Sequence, residues 1–214
     1  MLLSSSGKLS TIRVVLASSS PRRKEIMEQM GIHCSIISVP VDENLPLSMF
    51  DSITAYVEAV AKLKAQATFD SLCRSYEHCN FDLIISADTL VAFDGTVIGK
   101  PTDREDAIAT LARLSGKTHQ VVTGVCIYVL VGSETQPQVI CFHETTDVKL
   151  GQLNQDIIKA YVASGEPMDK AGAYGIQGLG CSLVERINGD YFNVVGLPAH
   201  KLSQYLRTIL EQFK

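Results

Sequence analysis

The sequence predicts a mixed α/β fold in which helices pack around a twisted sheet. Apolar runs of strand length alternate with segments of helical period, so strands and helices must share one layered core. Hairpin signals, above all Asp94-Gly95 between "TLVAF" and "TVIG", interrupt that alternation. The sheet therefore contains antiparallel pairs, unlike an all-parallel Rossmann sheet. The chain has 214 residues, 46% hydrophobic and 20% charged, enough to bury a core without disulfides or metals as staples.

The elements follow in order. Residues 1–11 are polar and serine-rich and read as a loose, flexible tail, leaving 12–214 as one domain. "IRVVLA" (12–17) is a buried strand that runs into Ser18-Ser19-Ser20-Pro21. Ser20 reads as an N-cap and Pro21 as the first residue of a helix that ends before Gly31. "CSIISV" (34–39) is a second strand, and the polar loop after it carries Asp42 and Glu43. A long helix over about 52–70 places Ile53, Val57, Val60 and Ala61 on one stripe, with Lys64 on that same stripe. The apolar run 83–87 ends in Asp88, and the Asp94-Gly95 hairpin follows. Thr102-x-x-Glu105 is a capping box that opens a helix to about 114, which Gly116 closes. Two β-rich runs, 119–131 and 138–150, pair through the polar turn between them. A helix at 154–164 precedes a glycine-rich segment, then the strand "CSLVERI", an Asn188-Gly189 turn and a terminal helix at 199–212. There is no internal repeat and no linker that would mark a domain boundary.

Bulk properties exclude several functions. A net charge of −4 and a pI near 5.7 argue against general nucleic-acid affinity, and 7% aromatic content argues against an RNA-binding module. The six cysteines, at 34, 73, 79, 126, 141 and 181, have no C-x-x-C pair, as expected of reduced thiols in a cytoplasmic protein. Cys73, His78 and Cys79 lack the second ligand cluster that a zinc site needs. The N-terminus has no secretory pattern, and no apolar run reaches the ~18 residues of a membrane helix. Neither a nucleic acid nor a membrane is expected as a partner.

Arg22, Arg23 and Lys24 fall in the first turn of a helix, where the dipole is already positive and each exposed cation costs about 0.3–1 kcal/mol. Something should compensate. Free helix N–H groups, the serine hydroxyls and two guanidinium forks could cradle a phosphate; a solvated basic turn or a Ser-Pro phosphorylation site would have the same sequence. The glycines and terminal lysine of a P-loop are missing. Asp88 leaves a buried strand at its carboxyl end, where open α/β sheets bind ligands, and a carboxylate there must be hydrated, paired or bound to metal. Lys64 on an apolar stripe either snorkels or serves the site. Lys100, between Gly99 and Pro101, sits in a stiff turn. Asp42 and Glu43 are by default solvated, yet with Asp88 they offer the hard oxygen ligands that Mg²⁺ accepts while it bridges phosphates. The segment with Asp169, Lys170 and Gln177 has the glycines that let backbone approach a ligand. His119 has no paired nucleophile and reads as a structural hydrogen-bonder.

"LASSSPRR", "SADTLV", "GKPTDREDAIATLARLSGKTHQVVTGV", "SGEPMDKAGAYGIQGLG" and "NVVGLP" together resemble, in order and spacing, the Maf family of nucleoside triphosphate pyrophosphatases, relatives of the inosine triphosphatases. The resemblance covers residues 12–212. It implies an elongated α/β protein of two lobes separated by a substrate cleft, often a homodimer. The implied reaction cleaves a nucleoside triphosphate between the α and β phosphates with a divalent ion, Mg²⁺ or in its place Mn²⁺ or Co²⁺. Carried onto this chain, the catalytic set is Asp88, Lys64, Lys100 and Glu43, with Asp88 and Glu43 holding the metal, and the phosphate loop is Ser18, Arg22 and Arg23. Arg22, Thr89 and Gln177 match the subgroup that prefers dTTP and UTP, rather than the one that prefers a methylated GTP. "LASSSPRR" has Ser19 where relatives carry glycine or alanine, and Cys181 stands where another glycine is common; neither removes a group that the chemistry needs. Proteins of this family are also linked with septum formation, so the competing expectation is a non-enzymatic nucleotide-binding regulator of cell division.

Overall fold

The structure, a computed structural model, describes residues 6–75, 81–132 and 136–213. Residues 1–5 of the expected tail lie outside the described residues, as do His78 and Cys79. The elements run α1 (Ser6–Leu9), β1 (Val14–Leu16), α2 (Pro21–Gln29), β2 (Cys34–Ile36), α3 (Ile53–Ser75), β3 (Leu83–Phe93), β4 (Thr96–Ile98), α4 (Arg104–Leu114), β5 (Thr118–Val129), β6 (Gln138–Leu150), α5 (Gln155–Ala163), β7 (Val184–Asn188), α6 (Tyr191–Val195) and α7 (Ala199–Leu210). One mixed seven-stranded sheet has the order β2-β1-β3-β5-β6-β7, with β4 paired to β3. β1 pairs parallel with β2 and β3, while β3–β4 and β6–β7 are antiparallel. The β3–β4 hairpin turns on Asp94 (φ 51°) and Gly95 (φ 69°), the two positive angles that the Asp-Gly pair supplies.

Two compact units share the chain, and the division falls inside β3, β5 and β6. The first comprises Met1–Asp88, Thr123–Glu144 and Gly196–Lys214. Its core packs Val15, Ala61, Ala65, Phe81, Ile84 and Tyr128, so β1, α3, β3 and β5 close on one another. Gly124 on β5 permits this closeness, because a Cβ there would lie 2.5 Å from the Val57 carbonyl carbon of α3. α1 falls within the segment expected to be loose, and Lys8 Nζ donates to the carbonyls of Leu210 (3.3 Å) and Phe213 (2.7 Å).

The second unit comprises Thr89–Val122 and Thr145–Val195. α4 and α5 pack Leu111, Leu114, Ile158 and Val162 against Val121, Val148 and Leu150 of the sheet. Each such fully buried aliphatic side chain contributes about 1.5–3 kcal/mol. His119 is buried as a hydrogen-bonder, with Nε2 2.7 Å from the Tyr174 hydroxyl.

Two local readings need correction. The cap of α4 is Asp103, whose carboxylate accepts the Asp106 N–H at 2.8 Å while Asp106 accepts the Thr102 N–H at 2.9 Å. The cap is thus displaced one residue from Thr102, and Asp106 rather than Glu105 reaches back, to the N–H of the residue before the cap, since a carboxylate is a stronger acceptor for a helix N–H than a hydroxyl. The strand expected from Cys181 begins at Val184, because Gly178–Leu183 winds as a 3₁₀ turn instead.

Candidate active site

The first five residues of β3, Leu83 to Ala87, are buried and Asp88 and Thr89 are partly exposed. The strand does not end at Asp88 as expected but runs on through buried Leu90–Ala92 to Phe93, because pairing with β4 extends it. Burial drives the strand inward and then delivers a carboxylate to the surface. Two residues earlier Ser86, fully buried, donates its hydroxyl to the Ala61 carbonyl of α3 at 2.6 Å, with the Cys126 carbonyl of β5 at 3.3 Å. That bond ties β3 to α3 less than one helical turn from Lys64.

Lys64 is the hub. Its Nζ lies 2.8 Å from Asp88 Oδ1 and 2.8 Å from Glu43 Oε2. The Lys64 and Asp88 side chains retain 15% and 17% of their exposure and that of Glu43 52%, so the inner pair is half-sequestered and the loop acid meets water. The stem lies along the apolar stripe as expected of lysine, but the ammonium ends on two carboxylates rather than in solvent.

The turn before α2 lies in the same unit. Ser20 occupies the N-cap position but makes no side-chain cap bond. Ser18, buried, accepts the Ser20 N–H at 3.3 Å and Arg23 Nη1 at 3.0 Å, while Arg23 Nε donates to the Gly196 carbonyl at 2.8 Å. These bonds answer part of the charge problem in this turn: Arg23 is anchored at both ends of its fork. Burial weighs against its charge, the carboxylates of Asp88 and Glu43 favour it, and Arg22 opposes it. Lys24 turns to Glu28, one turn on, at 3.4 Å.

Thr89, Lys100 and Gln177 belong to the second unit. Lys100 is exposed; Thr89 and Gln177 are partly buried. Asp42 accepts the Asn44 N–H at 3.0 Å and so shapes the loop that holds Glu43.

Sequence reasoning missed Tyr56, whose hydroxyl donates to the Glu43 carbonyl at 3.2 Å and thereby ties the acidic loop to α3. Burial, then the charges of Asp88 and Glu43, push this phenol's pKa up. The signal was present in the spacing: Tyr56, Val60 and Lys64 recur every four residues on one helix face. The anchoring carbonyl of Gly196 had no signal, since a backbone acceptor is invisible in residue type.

The donor set fits a divalent ion of the Mg²⁺ kind. Among the described residues no group of three or more His, Cys, Asp or Glu side chains gathers to hold a metal. Mg²⁺ needs no such cage, because it binds through one or two carboxylates together with water and substrate phosphate. Asp88 and Glu43, each 2.8 Å from the Lys64 ammonium, are carboxylates of the kind that could hold it.

A mixed α/β sheet with an acid–lysine–acid cluster at the partly exposed middle of β3, in one unit with a serine–arginine helix start, is equipped to handle phosphate. The chain belongs to the Maf-like protein family, whose model matches residues 13–209. Similar relatives include the "dTTP/UTP pyrophosphatase" of Symbiobacterium thermophilum, 44% identical over 91% of this chain and 92% of that protein. That of Caldicellulosiruptor bescii is 41% identical over 92% and 94%. A human "probable bifunctional dTTP/UTP pyrophosphatase/methyltransferase protein" is 42% identical over 94% of this chain, which spans only 32% of that longer protein.

Proposed function

We propose that this chain hydrolyses nucleoside triphosphates, dTTP and UTP above all, to the nucleoside monophosphate and pyrophosphate, and so serves to clean the nucleotide pool. The observation that supports this reading best is the placement of Lys64 between Asp88 and Glu43 at 2.8 Å from each, in a chain more than 40% identical to proteins that bear this activity in their names. Water attacks the α-phosphorus, the bond to the bridging oxygen of the β-phosphate breaks, and the water's proton passes to the Asp88 carboxylate. Lys64 orients that carboxylate and, with Arg22, Arg23 and Lys100, offsets the charge that grows on the departing pyrophosphate. Asp88 and Glu43 would hold Mg²⁺, or Mn²⁺ or Co²⁺ in its place. Such an ion, bound with the nucleotide, lowers the pKa of water and neutralises phosphate charge.

In this reading Arg22 and Thr89 help to select the base, and Gln177 presents a carboxamide whose donor and acceptor match the N–H and carbonyl edge of uracil or thymine. A site that pairs such groups rejects a base that leaves them unpaired. Homodimerisation and a cytoplasmic setting belong to the same proposal; no described helix is long and apolar enough to cross a membrane. A binding-only regulator of septum formation would have no need of a carboxylate held ready to take a proton.

The decisive experiment measures pyrophosphate release from a panel of triphosphates, with and without Mg²⁺. Release from dTTP and UTP with monophosphate as co-product is expected. Release of inorganic phosphate instead, or none from any nucleotide, overturns the proposal.

A further inference from the structure

We propose that Glu166 is a positioning residue that fixes where the end of Gln177 lies and so sharpens the choice of base, an inference that rests on the reading of Gln177 given above. Glu166 follows α5, eleven residues before Gln177, and makes three bonds with one carboxylate. Its Oε2 accepts the Leu179 N–H at 2.9 Å, and its Oε1 accepts the Gly180 N–H at 2.9 Å and the Tyr161 hydroxyl at 2.9 Å. The same Tyr161 oxygen accepts the Gly175 N–H at 3.1 Å. One carboxylate, directly and through one phenol, therefore holds the backbone on both sides of Gln177.

Glycine suits this arrangement at two positions. Gly178 has φ +69°, and a Cβ there would lie 2.7 Å from Glu166 Oε2. A Cβ on Gly180 would collide with the Gly175 carbonyl oxygen. The chain thus doubles back tightly around Gln177, with its N–H groups turned to Glu166. Lys170 closes the base of the segment, donating to the Glu166 carbonyl and to Asp169 Oδ1 at 2.6 Å each. Gln177 itself stands at the N-cap position of the following turn yet makes no side-chain cap bond, so capping does not occupy its amide.

Charge-assisted bonds from backbone N–H groups are about twice as strong as neutral ones, which suits a carboxylate to this task. Burial alone would push Glu166 up, but the N–H groups of Gly180 and Leu179, the Tyr161 hydroxyl and Lys170 outweigh it and hold the carboxyl below its ordinary range. Discrimination needs such an anchor. A carboxamide can offer a donor or an acceptor by turning over, so it separates uracil from cytosine only where its approach to the base is fixed.

The test compares Glu166→Gln, which sets an NH₂ against N–H donors, with the milder Tyr161→Phe, which removes the phenol link between Glu166 and Gly175 but leaves the carboxylate on the Leu179 and Gly180 N–H groups. KM and kcat are measured on dTTP, UTP and CTP, alongside amide hydrogen exchange at residues 175–180. The expected result is an approximately tenfold fall in the dTTP:CTP ratio of kcat/KM for Glu166→Gln, carried by KM, with kcat on dTTP held within about threefold and faster exchange at Leu179 and Gly180. Tyr161→Phe should shift the ratio in the same direction by less and keeps the test open if Glu166→Gln does not fold. Faster exchange with an unchanged ratio shows that Glu166 serves stability alone and overturns the proposal, as does unchanged exchange. Gln177→Glu run in parallel separates the two readings: an unchanged ratio there overturns base reading by Gln177 itself, whereas an unchanged ratio in Glu166→Gln alone overturns positioning by Glu166.

Discussion

The proposed reaction casts Asp88 as general base, and the geometry suits that role: a bond to Lys64 at 2.8 Å holds the carboxylate, and its side chain is still open enough to meet water. Asp88→Asn keeps the shape and removes the proton acceptor, so kcat should fall by about 10²–10⁴. The unfolding midpoint should move little, because the carboxamide oxygen of the variant can still accept from Lys64 and Lys64 keeps Glu43 as a partner. Activity within tenfold of wild type would remove Asp88 from the role of base. His119 yields a second residue-level prediction. Burial lowers its pKa from 6.5 to about 4, and its Nδ1 has no hydrogen-bond partner among the described residues. The unfolded chain therefore binds the extra proton first as pH falls, so the native state is favoured fully above about 6.5 and loses stability on the way down to about 4. Urea unfolding of the wild type should show about 2 kcal/mol less stability from this site at pH 5 than at pH 7.5, and His119→Gln should lack that loss. Equal pH slopes in the two proteins would show that His119 is not held neutral. Residue types that carry chemistry were readable in the sequence: Asp88 ends an apolar run and Lys64 interrupts an apolar stripe, and both are physically anomalous where they stand. Their mutual bond was not readable, because 24 residues separate them and only the sheet and α3 bring them together.

Elements were legible where local chemistry decided them. Pro21 opens α2, the Asp94-Gly95 pair turns the β3–β4 hairpin, and Gln138–Leu150 forms β6 over the span of its β-rich run. They were less legible where two local solutions competed, as at Thr102 and Asp103, or where glycines let the chain wind tightly, as between Gln177 and Val184. Gly124 gives this scale its prediction, because nothing in the pattern of β5 marks that glycine as special. A methyl group there would sit 2.5 Å from both the carbon and the oxygen of the Val57 carbonyl and 2.7 Å from the Glu58 nitrogen, all of them backbone atoms that cannot swing aside. β5 and α3 would have to separate, and α3 carries Lys64 two turns beyond Val57. Gly124→Ala should therefore cost about 1–3 kcal/mol in urea unfolding and also weaken catalysis by displacing Lys64. Full stability in that variant would mean that the helix and strand can part without loss.

At the scale of the whole molecule, a net charge of −4 opposes a triphosphate, which is itself strongly anionic. Association must then depend on local cations and on whatever neutralises the phosphates in solution. Lys64 already satisfies both Asp88 and Glu43, so a divalent ion arriving alone finds two carboxylates in competition with an ammonium and no third acid among the described residues. In the proposed reading nucleotide would reverse the balance, because phosphate oxygens would supply the missing ligands and give Lys64 an alternative partner. Ligand binding raises the stability of the native state by RT ln(1 + [L]/Kd), which makes the coupling measurable without turnover. Mg²⁺ alone at millimolar concentration should move the thermal midpoint by less than about 1 °C, whereas Mg²⁺ with a non-hydrolysable α,β-methylene analogue of dTTP should raise it by about 4–8 °C, and chelation should reverse that rise. A large shift with Mg²⁺ alone would require a preformed metal site that Lys64 does not contest. Equal shifts for the analogue with and without the ion would show that the cations of this chain hold the nucleotide unaided.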